Sequence, residues 1–189
     1  MLPPTVTVLH AEAGENAALD DSAVVAELYD VHHDAVRTFA RRLAGDAAAA
    51  EDLVHDVFLR VPAALRRHRG ECTVRTLLLA ITVNVARKHV RAAARRRAAM
   101  ARAGEQAEET GSVRTPEQDV ARAQVAAELH RALDALPLAQ RVAFVLMEIE
   151  ERSCAEAARI AGAPEATMRT RLFHAKKRLR ELLRKRGIV

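Results

Sequence analysis

The chain has 189 residues, a net charge of +5 and a half-apolar composition, yet only five aromatic residues: Tyr29, Phe39, Phe58, Phe144 and Phe173. A core built mainly from Leu, Val, Ile and Ala favours helices over strands, which draw on β-branched and aromatic side chains. No apolar run approaches the roughly 18 residues that a membrane helix needs, and no signal peptide is visible, so no membrane insertion is expected. The two cysteines, Cys72 and Cys154, belong to no CxxC or Cys/His cluster. A reduced, cytoplasmic protein without a disulfide framework follows.

Residues 1–19 are weakly patterned and read as a flexible leader. Ser22 is placed to cap a first helix with Val24, Val25, Leu28, Val31, Val36, Phe39 and Leu43 at helical spacing, and Gly45 stands at its end. Asp46 is placed to cap a second helix that buries Leu53, Val54, Val57, Phe58, Val61 and Leu65. Pro62 removes a backbone donor inside that pattern and predicts a kink or an early end. RRHRGECT, residues 66–73, reads as a basic loop turning at Gly70. A third helix is predicted from about Val74 to Arg97, with Leu77, Leu78, Ile81 and Val85 inward and a basic tail.

Residues 98–115 have linker composition, although the Ala-rich start is compatible with continued helix. Thr115-Pro116-Glu117-Gln118 is a helix-start signal; Leu129, Leu133 and Leu136 continue that helix and Pro137 breaks it. RVAFVLMEIEE then predicts a short apolar helix. Ser153-x-x-Glu156 is a capping box opening CAEAARIA, Gly162-Ala163-Pro164 makes a turn, and a long basic helix runs to about Arg186. A short capped helix, a Gly-containing turn and a longer basic helix form a helix-turn-helix. Ala157, Ile160 and Ala161 permit a close crossing, and Leu172, Leu179 and Leu182 supply the inner face of the second helix. Its other face carries Arg169, Thr170, Arg171, Phe173, Lys176, Lys177 and Arg180, early residues for base edges and later ones for phosphates.

Charge follows the same division. Residues 1–50 hold 3 basic and 8 acidic groups, 51–100 hold 11 and 4, 101–150 hold 5 and 9, and 151–189 hold 11 and 4. Two basic blocks, each preceded by an acidic one, predict two polyanion-binding units. The expected fold is therefore all-α: two small helical domains over 20–97 and 116–189, joined by a linker.

The segment LPLAQRVAFVLMEIEERSCAEAARIAGAPEATMRTRLFHAKKRLRELL resembles region 4 of the extracytoplasmic-function sigma factors, a helix-turn-helix that reads the −35 promoter element. GDAAAAEDLVHDVFLRVPAAL followed by RGECTVRTLLLAITVNVARKHVR is similar to region 2. The resemblance covers about 22–97 and 120–186 in the family's order. It implies a sigma factor that binds core RNA polymerase, through the β′ coiled coil and the β flap, and directs it to promoter DNA, with an anti-sigma factor as a further partner. It implies polymerase contacts at Asp52, Leu53, Asp56, Phe58 and Leu59. It assigns the −10 strand to His68, Arg69, Gly70, Asn84, Arg87, Lys88 and Arg91, and the −35 duplex to Arg169, Thr170, Arg171, Phe173, Lys176 and Lys177. No catalytic residue, cofactor or metal is implied.

The chain departs from the family at several positions. Val74-Arg75-Thr76-Leu77-Leu78 stands where a pattern like F-R-T-W-L is usual, Pro62 replaces a common Trp, His55 a common Gln and Ala166 a common Gly. Stacking on a base contributes ~1–3 kcal/mol, so strand capture here is expected to lean on shape and charge and to tolerate few promoters. Two other readings compete. One is a stand-alone helix-turn-helix regulator with a helical sensor or dimerisation domain. The other is a metal-binding helical enzyme using Asp30-x-x-His33 and Asp52-x-x-His55, for which the further carboxylates of a di-metal bundle are missing.

Overall fold

A computed structural model describes residues 17–68, 70–103 and 128–186. Helix α1 runs over Ala17–Ala44, α2 over Ala47–Phe58, α3 over Val61–Leu65 and α4 over Val74–Ala103. After the interval 104–127, α5 is described over 128–134 and α6 spans Leu138–Phe144, widening into a π-helical turn over Val145–Ile149. The helix-turn-helix is α7, Cys154–Ala161, followed by α8, Glu165–Lys185. There is no strand among the described residues.

Local chemistry explains most boundaries. α1 already runs at Ala17, so Ser22 lies inside it and residues 17–19 are helix rather than leader; the strong helix formers Ala17, Ala18 and Leu19 extend it backwards. Gly45 adopts φ +89° between α1 and α2, and the Asp46 side chain accepts from Ala49 N at 2.8 Å. The α2 pattern ends at Phe58, and Pro62 sits in the first turn of the separate helix α3, where a missing N–H costs nothing. Thr73 Oγ1 accepts from Thr76 N at 3.2 Å and starts α4, which continues to Ala103 through the first residues of the expected linker. The Thr115 start signal lies outside the described residues.

On α1 the buried stripe passes through Leu28, Val36, Phe39 and Leu43, with Val25 packed alongside. At about 100° per residue that stripe crosses His32 and leaves Val24 and Val31 roughly 80–100° to one side. Both valines are exposed, contrary to the expectation that they face inward, and His32 is half-buried. Burial, followed by the charge of Arg75, lowers the His32 pKa from its ordinary value.

The apolar core does not stop at the first module. Phe39, Leu43, Leu53, Val57, Leu78 and Val83 belong to the same buried cluster as Val142, Leu146, Ala157, Ile160 and Met168. A second, smaller cluster of Ala132, Leu133, Leu136, Ala175 and Leu179 fixes α8 against α5. Leu146 is fully buried in the shared cluster. Leu146→Ala is expected to cost about 2–5 kcal/mol, from lost transfer energy plus the cavity. Urea unfolding followed by circular dichroism measures this, and an unchanged midpoint would contradict the shared core.

Candidate nucleic-acid interface

The helix-turn-helix is closed by its own side chains. Ser153 Oγ accepts from Glu156 N at 3.2 Å while the Glu156 carboxylate accepts from Ser153 N at 3.1 Å, the reciprocal capping box read from sequence. Gly162, left-handed at φ +54°, ends α7, and Ala163 N donates to Ala158 O at 3.0 Å across the turn. Ala157, Ile160 and Ala161 are buried at the crossing, as expected. Met168 and Ala175 lie deeper than Leu172 and Leu182, which are only partly buried.

The outer face of α8 presents Arg169, Thr170, Phe173, Lys177 and Arg180 to solvent. Phe173 is 66 % exposed, with His174 edge-on at 5.5 Å between ring centroids. A phenylalanine exposed on a basic helix leaves apolar surface in solvent, suited to a base edge or a thymine methyl. Arg169 donates to Glu165 at 2.7 Å and Lys176 pairs with Glu148 at 2.8 Å. Such exposed pairs contribute little and exchange readily for phosphate.

A second basic surface lies between α3 and α4. A cleft of about 300 Å³ is lined by Arg60, Ala63, Ala64, Arg67, Ile81, Asn84, Val85 and Lys88. Asn84 and Lys88 were expected there; Arg60 and Arg67 were not. They flank the short helix α3, Arg60 just before it and Arg67 just after it. Arg91 is exposed farther along α4. Gly70 is exposed at φ +75° in the preceding loop, and Arg69 lies outside the described residues. His68 Nε2 donates to Cys72 O at 2.9 Å and so holds the loop closed. Arg87 turns away from the cleft and donates to Ala161 O at 2.6 Å. Burial, then Arg171 and Arg91, lower the Arg87 pKa from its ordinary value.

Asp52 on α2 and Leu59 just past its end are exposed, while Leu53 and Phe58 of α2 point into the core. Those two side chains therefore support the surface from beneath and do not present themselves on it. Tyr29 and Phe58 rings lie 4.8 Å apart, which leaves Tyr29 as the solvent-facing ring of the pair. Asp56 is half-buried: His89 Nε2 donates to Asp56 Oδ2 at 2.8 Å, and Arg60 Nη1 stands 3.2 Å from Asp56 Oδ1. No group of three or more His, Cys, Asp or Glu side chains able to hold a metal occurs among the described residues.

A helix-turn-helix with a basic outer face on one module and a basic cleft on the other define an all-helical protein with two separate basic surfaces. Sigma-70 region 2 matches residues 28–96 and sigma-70 region 4 matches residues 126–179. The RNA polymerase sigma-H factor of Pseudomonas aeruginosa is 31 % identical over 76 % of this chain and 79 % of its own. The ECF RNA polymerase sigma factor SigE of Mycolicibacterium smegmatis is 32 % identical over 96 % of this chain and 69 % of its own. The sigma factor RpoE of Bartonella quintana, solved in complex with the anti-sigma factor NepR, aligns over 86 % of this chain and 98 % of its own with a TM-score of 0.63 and 26 % identity. The chain belongs to the ECF RNA polymerase sigma factors and is a transcription initiation factor. A stand-alone helix-turn-helix regulator is not favoured, because both halves match. No helix among the described residues is long and apolar enough to cross a membrane.

The hydrogen bond from His89 holds the Asp56 carboxyl below the usual carboxylate range; burial opposes this, and Arg60 adds to the lowering. A depressed carboxyl stabilises the fold at pH above its unfolded value, and that contribution disappears as pH falls through the folded one. His89→Ala is expected to raise the Asp56 pKa toward its ordinary value and to flatten the acid limb of stability against pH. Carboxyl-carbon NMR titration reads this directly; an unmoved Asp56 would contradict the His89–Asp56 hydrogen bond.

Proposed function

We propose that this sigma factor reads a −35/−10 promoter with its two basic surfaces and docks on core polymerase through the exposed face of α2. Asp52, Leu59 and Asp56 meet the β′ coiled coil, shaped from beneath by Leu53 and Phe58. The helix-turn-helix module meets the β flap. Arg169, Thr170 and Phe173 read −35 base edges, while Arg171, Lys176 and Lys177 hold phosphates. In the other module the cleft takes an unpaired −10 base. Asn84 supplies a hydrogen-bonding amide, Arg60, Arg67 and Lys88 the charge, and Ile81 and Val85 the apolar wall. His68 and Gly70 shape the loop beside it, Arg69 and Arg91 extend the basic track, and Arg87 joins it once released from Ala161.

The observation that carries this reading is the cleft itself: room for a base, one amide on its wall and three cations around it. With Val74 and Leu77 at positions where the family carries aromatic residues, stacking contributes little and the tolerated −10 sequences are few. The protein performs no chemistry of its own, since phosphodiester formation belongs to the polymerase, and it acts in the cytoplasm. An anti-sigma factor is the further partner, as the Bartonella quintana complex supports.

Run-off transcription with core polymerase on duplexes carrying randomised −35 and −10 blocks tests the reading, with one narrow pair of elements expected among the transcripts. Phe173→Ala should lower use of the selected −35 block about 5- to 150-fold, corresponding to ~1–3 kcal/mol of base discrimination. Asn84→Ala should relax the −10 preference by a similar factor. Lys177→Ala should weaken all sequences alike and reduce the salt slope by about one. Transcripts drawn evenly from the library would refute promoter reading.

A further inference from the structure

Helix α8 carries eight basic side chains and only two acidic ones, Glu165 and Glu181. Glu165 opens the helix, at the end that a recognition helix turns toward base edges. Its carboxylate accepts from Arg169 Nη2 at 2.7 Å, and both side chains stand in solvent, 46 % and 63 % exposed. The buried acid of the chain is placed differently: Glu150 is only 10 % exposed and joins distant helices by pairing with Arg42 at 2.7 Å and Arg75 at 3.1 Å. Glu165 joins no elements, yet the backbone beneath it is fixed. Met168 is buried and its N donates to Pro164 O at 3.0 Å, while Cys154 Sγ of α7 donates to Glu165 O at 3.5 Å.

A carboxylate at this end of a polyanion-binding helix repels phosphates, and an exposed pair four residues apart adds little to the helix. It is useful only where a hydrogen-bond donor meets it. Across the major groove a G·C pair presents N7 and O6 of guanine as two acceptors, then the N4 amino group of cytosine as a donor. The other three pairs, taken in the same direction, end on an acceptor. A guanidinium fork followed by a carboxylate matches the first order alone. Arg169 has five N–H donors and gives one to Glu165 Oε2, so a parallel pair remains for N7 and O6. Glu165 Oε1 has no partner among the described residues and remains for the amino group. The neighbouring Thr170 donates its hydroxyl proton to Ala166 O at 3.0 Å and so offers a base only lone pairs and a methyl group.

We propose that Glu165 is a specificity residue and forms with Arg169 one reading unit for a single G·C pair of the −35 element. Arg169 takes guanine N7 and O6, and Glu165 takes the N4 amino group of the paired cytosine. The unit rests on the promoter reading above and narrows it to one base pair and two side chains. Glu165 also holds the Arg169 fork in place before DNA arrives, so less side-chain freedom is lost on binding. At any other pair the carboxylate meets an acceptor, and that repulsion rejects the wrong sequence.

Run-off transcription with core polymerase on duplexes carrying a randomised −35 block provides the test. The wild-type chain should hold one G·C pair fixed in the selected block. E165A and R169A should each relax that same pair about 5- to 150-fold, the range for one good base contact, with preferences at the other positions kept as the sign of an intact fold. The double variant should relax it little further than R169A alone, because the two side chains act together. A duplex with 2-pyrimidinone in place of that cytosine lacks only the N4 amino group. It should penalise the wild type about 5- to 150-fold more than E165A, which shares any loss of base pairing. A change in E165A that is uniform over all sequences, or an equal pyrimidinone penalty in both chains, would overturn the reading unit and leave −35 recognition standing. A wild-type library with no preferred −35 block would remove the promoter reading and the unit with it.

Discussion

A buried guanidinium organises the junction on which both modules depend. Arg141 donates to Leu43 O, to Asp134 Oδ1 at 3.0 Å, to Asp134 O at 2.6 Å and to Leu136 O at 3.4 Å. Two of these acceptors, Leu43 O and Asp134 O, are carbonyls at the ends of α1 and α5, where the helices leave unpaired oxygens and the negative ends of their dipoles, and Leu136 O lies in the turn after α5. Burying a cation is expensive, and these four acceptors on its two terminal nitrogens offset that cost, although Arg141 Nε is buried without a hydrogen-bond partner. Burial raises the Asp134 pKa from its ordinary value while Arg141 and His130 act against the rise. The end of α1, the turn after α5 and the start of α6 are consequently fixed as one unit, and the apolar cluster shared by the modules lies beneath it.

From that junction the functional surfaces inherit their positions. Helix α4 carries three roles along its length. Its inner face is core, Asn84 and Lys88 line the cleft, and Arg87 faces the other module. The Asp56–His89 contact ties α2 to α4, so the exposed face of α2 is rigidly related to the cleft between α3 and α4. On the second module the capping box and Gly162 fix α7, and Met168 and Ala175 fix α8 upon it. Phe173 and Arg169 are thereby held outward. In both modules most of the side chains proposed to face DNA are exposed, whereas those that orient the helices are buried or reciprocally bonded. Preorganised scaffolds with exchangeable surface contacts suit a factor that must bind and later release DNA.

Much of this was legible from short-range signals. Asp46, Gly45, Pro62, Ser153 with Glu156, and Gly162 each act through neighbours within a turn, and their consequences could be read one residue at a time. The helix-turn-helix and its basic outer face followed from the same local grammar. Long-range chemistry was not legible. Nothing around Arg141 distinguishes a buried, multiply bonded arginine from a solvated one. Glu150 reads as an ordinary acidic residue until Arg42 and Arg75 arrive from far along the chain. Arg87 resembles its neighbours Lys88 and Arg91, and only the packing of α7 gives it a different partner. On α1 the apolar pattern misled because Val31 and His32 are adjacent, and the stripe passes through the histidine. Leu53 and Phe58 were assigned to an outer surface by resemblance, although their own hydrophobicity and the α2 stripe already placed them inside.

The central claim is that this chain confers promoter specificity on RNA polymerase, and its most direct measurement is assembly with the core enzyme. Size-exclusion chromatography with light scattering, on purified chain mixed with core polymerase, should show one chain per core enzyme. Charge reversal of the exposed Asp52 should weaken that complex without lowering the stability of the free chain. A chain that elutes apart from core polymerase at micromolar concentrations would contradict the account.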